Sequence, residues 1–196
     1  MLSTLRNLNQ VILAEGKQMN NTTIKPKAEY RTQILAEIAI FTALSTALSL
    51  ITFVVFPQGG SVTAGSMVPM VWLALRRGPK IGIFAGVVYG LVQLAILPQI
   101  YYPLQILLDY PLAFGCLGFA GFFKKYALAG VIVAVIGRFV MHLISGAVFF
   151  AEFAPAEMDP WVYSAIYNGS YMLPELVISV FFIYLLQRSK VLKAYM

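Results

Sequence analysis

Tyr101-Tyr102-Pro103-Leu104-Gln105-Ile106-Leu107-Leu108-Asp109-Tyr110-Pro111-Leu112-Ala113-Phe114 is a proline-opened apolar stretch with one carboxylate inside it. Proline suits the first turn of a helix, where its missing N–H costs nothing, so a helix is expected from about Pro103. The apolar run continues to Phe123 and stops at Lys124-Lys125. At about 1.5 Å per residue that length crosses most of a hydrocarbon core about 30 Å thick. A carboxylate in such a helix costs several kcal/mol unless something compensates it, which makes Asp109 the first candidate site residue.

Working outward, the whole chain shares this character. Of its 196 residues 60% are hydrophobic and only 11% charged, and the mean hydropathy is +0.79. A soluble domain carries about 25% charged residues, so the composition points to an all-α integral membrane protein with the lipid bilayer as its surroundings. Apolar segments at 34–56, 67–75, 81–97, 104–123, 128–150 and 161–186 predict six transmembrane helices. The second is short and is interrupted by Pro69, so part of the charge-free 57–63 loop is expected at membrane depth to complete it. Residues 1–31 read as a cytoplasmic tail, with 5–13 taken as unstructured in preference to a short interfacial helix. Residues 32–190 form the membrane domain and 191–196 a second cytoplasmic tail.

Charge sets the orientation. Arg6, Lys17, Lys25, Lys27 and Arg31 precede the first span; Arg76, Arg77 and Lys80 follow the second; Lys124 and Lys125 follow the fourth; Arg188, Lys190 and Lys193 close the chain. In a six-span protein all of these fall on one face, and the opposite loops hold no Lys or Arg. Positive residues mark the inside, so both termini are expected to be cytoplasmic in a multi-pass protein of the bacterial cell membrane. The net charge of +6 therefore has a membrane explanation, and no nucleic-acid partner is expected.

Counting along the spans places polar groups at matching depths. Asp109, His142 and Asn168 each lie roughly 9 to 12 Å below the outer boundary. Three helices thus present a carboxylate, an imidazole and an amide at one level, with Tyr110 and Tyr163 beside them and Gln105 one turn above Asp109 on its face. Interhelical polar contacts contribute only about 0.6 kcal/mol each, a poor return for an ionisable group in lipid, so an externally open small-molecule pocket is the better reading. No Lys or Arg matches that depth, and aromatic rings surround it, including Phe150 near the third outer loop. That chemistry suits a cation or a flat heterocycle rich in hydrogen-bonding groups. Arg138 and Glu175 match one another about 18 to 21 Å down, and a static buried ion pair is expected there.

Other features are packing signals or absences. Gly82, Gly86 and Gly90 form a ladder for close helix approach, and Ala39, Ala43 and Ala47 form a small-residue face on the first span, read from the residues alone as internal packing. Ser145, three residues from His142 on one face, also reads as packing. The lone Cys116 permits no internal disulfide, and neither a metal site nor a cofactor is expected. Walker A, HExxH and GxSxG motifs are absent, so no enzyme is predicted.

Five motifs together resemble the thiamine-specific substrate-binding (S) component of energy-coupling factor transporters. They are Pro57-Gln58-Gly59-Gly60-Ser61, Leu75-Arg76-Arg77-Gly78, Leu108-Asp109-Tyr110-Pro111-Leu112-Ala113-Phe114, Arg138-Phe139-Val140-Met141-His142-Leu143-Ile144-Ser145-Gly146-Ala147-Val148-Phe149-Phe150 and Tyr163-Ser164-Ala165-Ile166-Tyr167-Asn168-Gly169-Ser170-Tyr171. The resemblance implies a six-helix subunit that captures thiamine outside with high affinity and delivers it with an ECF module, a transmembrane coupling subunit and two cytoplasmic ATPases. By motif it assigns Asp109, Tyr110, His142, Tyr163 and Asn168 to the ligand. It gives Ala39 and Ala43 to the coupling subunit, in place of internal packing. Asp109 stands where some members have Glu, Phe150 and Tyr89 where some have stacking tryptophans, and Gly60 about where a loop tryptophan lies. Alternatives are an S component for another vitamin such as riboflavin, or a self-sufficient ion-coupled carrier, for which internal repeats would be expected and are not seen.

Overall fold

Six helices and one hairpin carry residues 27–189, which are the residues described in the computed structural model. The 5–13 stretch, Lys190 and Lys193 lie outside them. The chain divides into two compact units, Met1–Ala36 and Glu37–Met196. Of the first, residues 27–36 are described, as the opening turns of helix α1 (Lys27–Ser49), with Thr32 donating from its hydroxyl to the Ala28 carbonyl at 3.1 Å. Helix therefore begins before the tail boundary expected at 31.

The second unit amends the all-α expectation. The first span does not run to Phe56; α1 ends at Ser49 and the chain turns into an antiparallel hairpin, β1 (Thr52–Val55) and β2 (Ser61–Thr63), pairing Thr52 with Thr63 and Val55 with Ser61. A ladder of β-branched residues lets this segment pair its backbone hydrogen bonds internally, where a free loop would not. Phe56 N–H donates to Gly60 O (2.7 Å) and Gly59 N–H to Phe56 O (3.1 Å); Gly59 holds φ at 88°, which favours glycine.

Helix α2 (Val68–Arg77) is ten residues long, about 15 Å, and Val68 through Leu75 are all buried. Too short to cross alone and apolar all round, it is a core helix screened by its neighbours. Among the described residues five helices are long and apolar enough to span: α1, α3 (Pro79–Ile96), α4 (Pro103–Phe123), α5 (Ala127–Phe149) and α6 (Pro160–Arg188). The Glu37 carboxylate, midway along α1, receives Arg77 Nε at 2.6 Å and Nη2 at 2.5 Å, with Arg76 Nη2 at 3.4 Å.

Helix α4 is not the uniform helix its apolar run implies. Pro103–Leu107 is α-helical, Leu108–Leu112 is a π turn, and Cys116–Phe123 tightens to 3₁₀. Pro111 contributes no N–H, and the Ala113 N–H reaches five residues back to Leu108 O. Such π turns interrupt regular helices and recur at functional sites.

The glycine ladder of α3 fits this irregular helix backbone to backbone. A Cβ at Gly86 would lie 2.2 Å from Phe114 O, and one at Gly90 would lie 2.5 Å from Tyr110 O and 3.1 Å from Pro111 Cα. Gly90→Ala is expected to cost about 1–3 kcal/mol through overpacking, lowering the thermal unfolding midpoint of detergent-purified protein. Gly169→Ala, whose Cβ meets nothing within 4 Å, is expected to change stability by no more than about 0.5 kcal/mol.

Candidate functional site

Asp109 sits in the π turn, and three side chains from two helices converge on its carboxylate. His142 Nδ1 on α5 lies 2.9 Å from Oδ1; Ser145 Oγ donates to Oδ2 at 2.9 Å and Gln105 Nε2 to the same oxygen at 2.7 Å. Arg138, one turn along α5, donates from Nε to His142 Nε2 at 3.2 Å. A guanidinium only donates, so Nε2 is the accepting nitrogen and the imidazole proton sits on Nδ1, directed at Asp109. The result is a chain of guanidinium, imidazole and carboxylate in which the Arg138 and Asp109 charges offset each other.

Asn168 joins from α6. Its Nδ2 lies 3.3 Å from the His142 carbonyl, 2.9 Å from Ser164 O and 3.1 Å from Ser164 Oγ, while its Oδ1 accepts from Tyr171 at 2.6 Å. Ser164 Oγ in turn donates to Leu143 O at 2.9 Å. Close approach of α5 and α6 rests on Gly146, where a Cβ would lie 2.2 Å from Ser164 Oγ. Asp109, His142 and Asn168, matched by depth in the sequence, thus meet at one level.

They line a cavity of about 140 Å³ whose wall also includes Tyr89, Gln105, Tyr110, Phe150, Tyr163 and Gly60. All nine sequence-selected residues of the pocket therefore reach one space, although several do structural work there. Tyr110 pins the α3–α4 loop, accepting from Gln99 N (2.7 Å) and donating to Leu97 O (2.9 Å). Gln105 holds the same loop through Gln99 O (3.1 Å) and Tyr101 N (3.2 Å). Tyr89 donates to Ser45 O at 3.3 Å and meets Phe114 edge-on at 4.8 Å. Phe150 meets Tyr101 edge-on at 5.0 Å, and Tyr163 stacks on Tyr167 at 6.2 Å.

The hairpin tip is fastened over the cavity by a residue the sequence reading passed over. Tyr167 Oη accepts from Gln58 N (3.1 Å) and Gly60 N (3.2 Å), and a Cβ at Gly60 would lie 2.6 Å from the Tyr171 ring. A bulky side chain in place of Gly60 would have to displace that ring. Tyr163, Tyr167 and Tyr171 recur every fourth residue, a one-face pattern legible in the sequence. Ser145 was visible too, but its partner was not.

The expected Arg138–Glu175 ion pair is not formed among the described residues. Arg138 turns to His142 and lays its guanidinium 4.2 Å from the centre of the Phe114 ring. Glu175 turns to the hairpin, where Oε1 accepts from Thr63 N and from Thr63 Oγ1 (2.6 Å). Both side chains line one cavity, but each is drawn to a different partner. Among the described residues no group of three or more His, Cys, Asp or Glu side chains is placed to hold a metal ion.

Along α1 and the neighbouring α3, Ala39, Ala43 and Ala47 are exposed and border a shallow groove with Thr42, Thr46, Val88 and Val92. No other segment among the described residues fills it, so the face is not used for internal packing.

Known proteins resemble this chain over most of its length. The family model described as "Thiamine transporter protein (Thia_YuaJ)" matches residues 35–194. The thiamine transporter ThiT of Bacillus subtilis is 40% identical over 164 residues, 74% of this chain and 84% of that protein. Its namesake from Lacticaseibacillus paracasei is 32% identical over 167 residues, 75% of this chain and 83% of that protein. The solved structure of ThiT from Listeria monocytogenes gives a TM-score of 0.75 at 28% identity, covering 82% of this chain and 96% of that one. These relatives are named as transporters, not enzymes, and the apolar helices are those of a multi-pass membrane protein. Matched by the family model over most of its length, this chain belongs to the thiamine transporter protein family.

Proposed function

We propose that the chain is the high-affinity thiamine-binding S component of an ECF-type importer, taking thiamine from the outside and delivering it with the ECF module. The observation that carries this reading is the polar layer of Asp109, His142 and Asn168 in the wall of an aromatic cavity, in a chain of this family. A carboxylate has about four acceptor positions, and the protein uses three at Asp109, leaving one on Oδ1 for a donor such as the amine of an aminopyrimidine. His142, Tyr163, Asn168 and Phe150 stand around it as ring and hydrogen-bonding contacts, with Tyr89, Tyr110 and Gln105 as wall and Gly60 in the roof.

The membrane arrangement in this reading is six spans with both termini cytoplasmic, residues 1–31 and 191–196 as tails and 32–190 as the membrane domain. Supporting it, the α2–α3 and α4–α5 loops lie together, Lys124 Nζ donating to Arg76 O at 3.3 Å, while the hairpin tip and the α3–α4 loop meet at Gly59 and Gln99. Basic and charge-free loops are thereby segregated. Helix α2 makes its crossing together with the hairpin. The exposed Ala39 and Ala43 groove, open to close helix approach, is the surface offered to the coupling subunit.

Mass spectrometry of protein purified without added vitamin is expected to find retained thiamine; another vitamin in its place would overturn the ligand assignment. Asp109→Asn is expected to weaken thiamine binding at least about tenfold, because charge-assisted contacts are lost, and tryptophan-quenching titration reads this directly. Replacing Ala39 and Ala43 together with Leu is expected to leave binding intact and abolish cellular uptake; normal uptake would remove the groove from the docking role.

A further inference from the structure

Glu175 is 2% exposed, lines the same cavity as Asp109, and divides its carboxylate between two situations. Oε1 is held by the hairpin through Thr63 N and Thr63 Oγ1. Oε2 is buried and has no hydrogen-bond partner among the described residues. No Lys, Arg or His nitrogen lies within ion-pairing distance of it there. A buried carboxylate oxygen without a partner carries a large desolvation cost, so its retention in the wall of a binding cavity points to a ligand.

Charge bookkeeping within the cavity points the same way. Its ionisable groups, tyrosines apart, are Asp109, Arg138, His142 and Glu175. Arg138 and Asp109 are joined through His142, each side of the imidazole making one bond, and offset one another. Glu175 is left as the uncompensated charge, and a cavity with one uncompensated carboxylate is complementary to a monocation.

We propose that Glu175 is a second ligand-recognition carboxylate, its Oε2 serving as the counter-charge for the cationic ring of the ligand while its Oε1 holds the hairpin at Thr63. This rests on the thiamine reading, since thiamine joins a neutral aminopyrimidine to a permanently charged thiazolium. It divides the labour between two carboxylates: Asp109, already in balance with Arg138, takes a hydrogen-bond donor, and Glu175 takes the charge. Because one side chain serves both ligand and hairpin, binding of the cation is tied to the seating of β2.

The test compares thiamine with its neutral isostere, in which a thiophene replaces the thiazolium, by fluorescence or calorimetric titration of the purified full chain. Wild-type protein is expected to prefer thiamine by at least about tenfold. Glu175→Gln is expected to erase most of that preference, weakening thiamine at least about tenfold and the isostere by no more than about twofold. Thr63→Val, which loosens the hairpin and leaves the charge in place, is expected to weaken both ligands by the same factor. Equal losses for both ligands in Glu175→Gln would reduce Glu175 to a hairpin anchor and overturn the proposal, as would an unchanged preference in that variant or loss of the preference in Asp109→Asn instead. Should Glu175→Gln not fold, wild-type protein decides alone, because equal affinity for the two ligands overturns the proposal. Wild-type protein that binds neither ligand overturns the thiamine reading itself.

Discussion

The Asp109 carboxylate draws hydrogen bonds from its own helix and twice from α5, and the local structure is arranged around satisfying it. In hydrocarbon an unpaired charge is expensive. The π turn, the proton position on His142 and the direction of Arg138 are different parts of one solution. Each polar group in the series is bonded at both ends, so that the sequence ends on a guanidinium lying against an aromatic face, where it is tolerated. The hairpin follows the same pattern, its two strands pairing backbone that a loose segment would leave unpaired.

Much of this was legible in the sequence, because helical rise converts residue number into depth. Asp109, His142 and Asn168 do meet, the pocket residues chosen with them line one cavity, and the glycine ladder packs as its spacing implies. What depth cannot supply is direction around the helix axis. Arg138 and Glu175 are level yet face different neighbours, so the expected ion pair is replaced by two separate arrangements. The π turn adds to this, since the extra residue it accommodates shifts the rotational phase of everything after it. The hairpin was hidden for another reason: a few β-branched residues around a glycine-rich turn cannot be told from the end of a long apolar helix by periodicity.

The site also separates two tasks that one residue type often combines. Side chains at the polar level are largely engaged with each other, which fixes their geometry before any ligand arrives. Tyr167, Tyr171 and Glu175, all on α6, instead engage the hairpin at Gln58, Gly60 and Thr63. A rigid recognition layer therefore adjoins a cover attached by a handful of hydrogen bonds on one helix.

The glycine contact between α3 and α4 completes that asymmetry. Where backbone touches backbone there are no side-chain torsions to rearrange, so the interface has no alternative packing of similar energy and behaves as a single stiff plate. The opposite wall, where the hairpin and α6 meet, is held instead by separate side-chain hydrogen bonds. One wall of the cavity is thus joined backbone to backbone and the other through side chains, and that division was made by the absence of three side chains.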